Sequence, residues 1–167
     1  MPLLLRKIRK ARWNGVNSPS GVKLSADALG DLTTSGNELS VYHVEDDSSN
    51  LERVIVALAA NSEVFSNFDY ALFSYEVPST IGIALKQTEG KTPDSVVNEK
   101  WHIDLTVATA ETLLALGVGI YASARKERIL VKEVTQKIAK AIQDGNVQVV
   151  NLKGKLRVHF ESGASGG

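Results

Sequence analysis

The sequence predicts an α/β or α+β fold built on a mixed sheet, and three observations predict it. Residues 39–76 read as strand, helix, strand, a βαβ unit with a right-handed crossover. Three helical patterns occupy much of the C-terminal half. Two alternating stretches, 147–150 and 155–160, flank Lys153-Gly154 as the arms of a closing hairpin would. Residues 1–161 are expected to form one domain, which 167 residues can stabilise around one core. The small polar run from Ser162 to Gly167 is expected to be a flexible tail of linker or cloning type.

From the amino terminus, Leu3, Leu5, Lys7 and Arg9 alternate with Leu4, Arg6, Ile8 and Lys10. That pattern predicts a strand, although Leu4, Leu5, Ile8 and Ala11 also fit helical spacing. Residues 14–37 are rich in turn signals and hold one short helical turn, capped by Ser25 and ended by Gly30. Leu39 to Val44 is β-branched and aromatic, hence a strand. Ser49-Asn50-Leu51-Glu52 has the form of a capping box, and Leu51, Val54, Ile55 and Leu58 keep helical spacing to about Asn61. Phe68 to Tyr75 is apolar on both alternating faces, as in a strand buried within a sheet. Ile81 to Lys86 predicts another strand.

Thr92-Pro93-Asp94-Ser95 is a helix start, and Val97, Trp101 and Leu105 follow it at spacing four. The same stretch also alternates through Trp101, Ile103, Leu105 and Val107, but the start signal favours the helix. Thr109 caps a second helix to about Ala124, with Ala115, Gly119 and Ser123 as a small-residue stripe. Residues 127–144 give the third, with Leu130, Val134, Ile138, Ala141 and Ile142 on one face and Gly145 as the stop.

There are no cysteines, which excludes disulfides, thiolate metal sites and cysteine nucleophiles. The longest apolar run, Leu113 to Ala124, falls short of the ~18–20 residues a membrane span needs. The chain is expected to be cytoplasmic, away from membranes.

Net charge is zero, yet the charges are segregated. Residues 1–26 hold six bases and no acid, 27–111 hold fifteen acids against four bases, and 112–167 hold nine bases against four acids. Either the basic ends fold over the acidic middle, or the blocks form a surface dipole that steers a partner.

No motif of specific spacing announces a reaction. Gly117-Val118-Gly119 lacks the third glycine and the preceding strand of a dinucleotide loop, and no serine sits in G-x-S-x-G. His43, His102 and His159 are too far apart in sequence for a local metal pair, so neither metal nor cofactor is expected. His102 is the candidate catalytic residue. A helix would place Glu99 beside it, and a strand would place Asp104 on its face; either carboxylate would orient the ring for general-base work. The acids Glu45, Asp46 and Asp47 after the strand could hold a divalent cation loosely or complement the positive end of the following helix. The basic segment Arg6, Lys7, Arg9, Lys10 and Arg12 could contact phosphates, with Trp13 stacking on a base. The same charges would also protect an edge strand from aggregation.

The expectation from these readings is a non-catalytic interaction or regulatory domain of immunity or inhibitor type, using its segregated charge against another protein. The alternatives are a small hydrolase built on His102, and nucleic-acid binding through the amino-terminal segment. Homo-oligomer formation is open.

Overall fold

The computed structural model describes residues 2–163. The first strand, β1 (Leu3–Ile8), is followed by a 3-10 turn over Lys10–Trp13 and a small hairpin, β2 (Val16–Ser18) and β3 (Gly21–Lys23). Next come α1 (Ala26–Leu29), β4 (Glu38–Val44), α2 (Leu51–Ala60), β5 (Phe68–Ser74), α3 (Glu76–Thr80) and β6 (Leu85–Gln87). The second half holds α4 (Ser95–Lys100), β7 (His102–Thr106), α5 (Ala110–Ser123), β8 (Arg125–Ile129), α6 (Val131–Gln143) and α7 (Gly154–Gly163).

Six strands form one sheet in the order β6-β7-β4-β1-β5-β8, and every neighbouring pair is antiparallel. The fold is α+β. β4 and β5 both run opposite to β1, so they are parallel to each other and joined by α2, as a βαβ unit requires. They are not neighbours, however, because β1 lies between them. The reason is visible in β1 itself. Leu5 buries into one face and Leu4 and Ile8 into the other, which suits a strand flanked and covered on both sides. The amino-terminal segment is therefore central, and its basic residues do not guard an edge.

Helices cover both faces. On one, Leu5, Tyr42, Val44, Phe68 and Leu72 meet Val54 and Ile55 of α2 and Val134 and Ile138 of α6, with Leu156 of α7 closing the layer. On the other, Leu4, Val41, Phe73 and Leu105 meet Leu116 and Ile120 of α5, Ala28 of α1 and the indole of Trp13. α5 approaches its neighbours closely through glycine. A Cβ on Gly117 would sit 2.7 Å from Leu29 Cδ2, and one on Gly119 would sit 2.8 Å from Val77 Cγ1. The small residues of α5 thus serve α1 and α3 within the chain.

Several local expectations change. The stretch 92–107 is a helix and then a strand, so both sequence patterns operate in succession. Asp94, not Thr92, caps α4, accepting from Val96 N and Val97 N at 3.0 and 3.3 Å. Residues 125–129 are the edge strand β8, and α6 begins only at Val131. Its charged alternation finds cross-strand partners: Arg128 forms a two-bond pair with Asp69 at 2.7 and 2.8 Å, and Tyr70 donates to Glu127 at 2.6 Å. The expected closing hairpin is a 3-10 turn and α7. Leu152, Leu156 and Phe160, at spacing four, turn inward, while Val158 is exposed. Ser162 lies in the last turn of α7, and residues 164–167 of the expected tail lie outside the described residues. The capping box before α2 is also replaced. Asn50 stands at the cap and uses its side chain to tie the turn, donating to His43 O and accepting from Glu45 N.

The Asp69–Arg128 pair predicts an acid sensitivity. Hydrogen bonds from Arg128, and from Lys10 N, hold the Asp69 carboxyl below its ordinary value despite its burial. A depressed carboxyl stabilises the fold above the unfolded-state value of about 4, and that contribution disappears as pH falls through the lower folded-state value. Urea midpoints measured from neutral pH down to about pH 2 should fall more steeply in the wild type than in Asp69→Asn. Parallel curves would disprove the assignment.

Candidate functional site

The site begins where the sheet splits. β1 is in register with β5 over six residue pairs but with β4 over only three, ending at Leu5 opposite Tyr42. Beyond that point Arg6 bridges the gap. Its Nη1 donates to Ser40 O at 2.6 Å, and Nε and Nη2 donate to Asp31 O at 3.1 and 2.9 Å. An open cleft of about 600 Å³ lies over this split, with Tyr42, Ser40, His102 and Asp104 among its lining residues, the end of α2 at Leu58 and Asn61, and the 89–91 segment as a wall.

Strand geometry assembles the polar group. His102 and Asp104 lie two apart on β7 and share a face, while Ser40 and Tyr42 of β4 stand directly opposite Asp104 and His102. The Tyr42 and His102 rings meet edge-on at 5.1 Å. Thr88, just past β6, completes the group. Ser40 Oγ donates to Asp104 Oδ1 at 3.0 Å, and Thr88 Oγ1 donates to Asp104 Oδ2 at 2.7 Å. The Thr88 hydroxyl has one proton, so it accepts from His102 Nδ1–H, 2.8 Å away. His102 Nε2 then carries the lone pair; Asp104 Oδ1 is 3.8 Å from it, beyond hydrogen-bond reach.

Electrostatics support that protonation state. Burial holds the His102 imidazole below its ordinary value, outweighing the opposing attraction of Asp104 and hydrogen bonding to the Thr88 backbone, so the ring is neutral near pH 7. Burial also raises the Tyr42 phenol to about 12, which keeps it protonated. The rim carries charge of both signs, Lys7, Arg9 and Lys91 with Glu38 and Glu89, and none of the five is in an ion pair among the described residues. The segment beside His102 is held in place. Gly90 N donates to Asn98 O, and Thr92 N donates to Asn98 Oδ1. A Cβ on Gly90 would lie 3.2 Å from the His102 ring, so glycine allows the backbone to pass there.

Asp104 therefore joins His102 and Glu99 does not. Glu99 sits on α4, where its backbone carbonyl accepts from Gln87 Nε2, because the chain leaves the helix before His102. The amino-terminal basic set is dispersed. Arg6 is a strut between backbone carbonyls, Arg12 pairs with Asp31 at 3.2 Å, and Lys10 N donates to Asp69. Trp13 is 2% exposed and donates its indole N–H to Asp31 Oδ2, so its ring cannot stack on a base. Lys7, Arg9 and Lys10 remain on the surface, and Lys7 and Arg9 face the cleft.

Thr88 and Ser40 were beyond the reach of sequence reasoning. The only signal for Ser40 was its place among alternating strand residues, and Thr88 had none. A second polar chain lies at the carboxyl ends of β4 and β5. Tyr75 Oη is 2.8 Å from His43 Nδ1, and His43 Nε2 is 3.2 Å from Glu45 Oε2. Of the other acids there, Asp47 accepts from Ser49 N. No group of three or more metal-ligating side chains occurs among the described residues, and no described helix is long and apolar enough to cross a membrane. No protein-family model, characterised protein or solved structure matches the chain.

Proposed function

We propose that the protein is a small hydrolase-type enzyme in which His102 is the general base. The observation that carries this reading is the Asp104–Thr88–His102 hydrogen-bond chain on the lining of the cleft of about 600 Å³. The chain fixes one tautomer and leaves Nε2 unprotonated, as proton abstraction from a water molecule requires. When Nε2 takes that proton, the new positive charge is stabilised through Nδ1–H and the Thr88 hydroxyl by the Asp104 carboxylate.

The test is turnover of nitrophenyl acetate, nitrophenyl phosphate and bis-nitrophenyl phosphate by the wild type and His102→Gln. The variant should keep its circular dichroism spectrum and lose at least about 100-fold in kcat/KM. Equal turnover by the variant, or no turnover of any of these esters by the wild type, would remove the reading.

The reading as a non-catalytic interaction domain guided by segregated charge draws less support. Arg12–Asp31, Arg128–Asp69 and Lys137–Glu52, at 3.2, 2.7 and 2.8 Å, join the basic ends to the acidic middle within the chain. Nucleic-acid binding through the amino-terminal segment keeps only its surface cations, because Trp13 and Arg6 are engaged internally.

A further inference from the structure

Tyr42 is only 7% exposed, yet its hydroxyl forms no hydrogen bond among the described residues. Every fully buried polar side-chain atom among those residues has a partner, so this oxygen opens onto the cleft that Tyr42 lines. A buried phenol ordinarily finds a partner. Two other tyrosines do so: Tyr70 donates to Glu127 at 2.6 Å, and Tyr75 Oη lies 2.8 Å from His43 Nδ1. The unpartnered hydroxyl belongs to the residue directly opposite His102 on β7, with the two rings edge-on at 5.1 Å. Leu5 and Tyr42 form the last pair before β1 and β4 part. The Tyr42 ring therefore joins the apolar layer beneath α2, and its hydroxyl lies at the split.

Burial, reinforced by the charge of Asp104, outweighs the pull of Arg6 and keeps the proton on the phenol. Asp104 already accepts from Ser40 and Thr88, and no described group accepts from Tyr42. A neutral donor beside a general base matches the one oxygen that gains charge when water adds to a carbonyl. A phosphoryl group spreads its charge over several oxygens and is better served by cationic clamps, whereas this rim carries Glu38 and Glu89 besides its bases. On the reading of His102 as general base, we infer that Tyr42 is the oxyanion donor of the cleft and that its substrates are carboxylic esters. The attacking water gives a proton to His102 Nε2 as its oxygen bonds to the acyl carbon. The carbonyl π pair moves onto the carbonyl oxygen, which accepts a hydrogen bond from Tyr42 Oη–H. When that pair re-forms the double bond, the bond to the leaving oxygen breaks, and the imidazolium returns the proton to the departing group. Ester and water become acid and alcohol.

Tyr42→Phe removes the hydroxyl alone and keeps the ring against His102. No described group loses a hydrogen bond, so the melting midpoint should stay at the wild-type value. With nitrophenyl acetate, kcat and kcat/KM should both fall at least about 100-fold at unchanged KM, and the pH–rate limb set by His102 should stay in place. The wild type should leave nitrophenyl phosphate and bis-nitrophenyl phosphate intact. A variant as fast as the wild type would overturn the inference, while His102→Gln measured beside it still reports on the general base. A wild type that hydrolyses the phosphate esters as fast as the acetate would remove the Tyr42 reading and leave the hydrolase standing. A rate loss matched by a lower melting midpoint would make Tyr42 a structural residue instead. Absence of any turnover by the wild type would remove both readings together.

Discussion

Replacing Asp104 with asparagine is expected to lower turnover by two to three orders of magnitude, about 3–4 kcal/mol of transition-state stabilisation, with the fold intact. Asp104 only accepts hydrogen bonds, one from Ser40 and one from Thr88. That constraint makes Thr88 an acceptor towards His102 Nδ1–H and leaves Nε2 with its lone pair. An asparagine amide turned towards Thr88 would donate in place of accepting. The Thr88 hydroxyl would then donate to Nδ1, and the proton would move to Nε2. The imidazole would stay in position in the wrong tautomer, unable to take a proton from water, and the carboxylate that stabilises imidazolium would also be gone.

Two measurements check this together. The imidazole nitrogen shifts should report an Nδ1–H tautomer in the wild type and an Nε2–H tautomer in Asp104→Asn. The kcat/KM of the variant should fall in parallel. Unchanged tautomer and rate would leave Asp104 with a purely structural role. Thr88→Val should give a smaller loss, because it breaks the relay without inverting it.

Arg6→Met is expected to destabilise the protein by about 3 kcal/mol, a large part of the ~5–15 kcal/mol that holds a domain folded. Arg6 donates three hydrogen bonds to backbone carbonyls across the place where β1 and β4 part. Methionine fills the volume but donates nothing, so the Ser40 and Asp31 carbonyls lose these partners. Arg6→Lys should recover little of the loss, because a point ammonium cannot reproduce the planar fork that spans two carbonyls. Arg9→Ala, at an exposed side chain, should stay within about 0.5 kcal/mol of wild type. Urea denaturation of the three variants decides the matter. If Arg6→Met unfolds at the same midpoint as Arg9→Ala, the strut reading is wrong.

These two residues mark where sequence reasoning reaches its limit. Apolar periodicity determined most of the elements: β4, α2 and β5, and the main bodies of α5 and α6, while cap and stop residues marked the short turn at α1. It did so because side-chain direction follows backbone period, and burial selects that period locally. It failed where two periods fit the same residues. At 92–107 the chain uses both, and at 152–160 the spacing-four set prevailed over alternation because Leu156 has a core to enter. β8 escaped detection because an edge strand can carry charge on both faces, and its partners Asp69 and Tyr70 lie far away in sequence.

The site followed the same division. That His102 and Asp104 would share a face was legible as soon as the segment was taken as a strand. That Ser40 and Thr88 join them, that Glu99 does not, and that Arg6 and Trp13 turn inward depended on the order of strands in the sheet. Strand order is set by pairing between segments scores of residues apart, through backbone hydrogen bonds common to every residue and shared burial on two faces. No local pattern encodes it. Tertiary structure alone placed β1 between β4 and β5, and with it the split in the sheet over which the cleft opens.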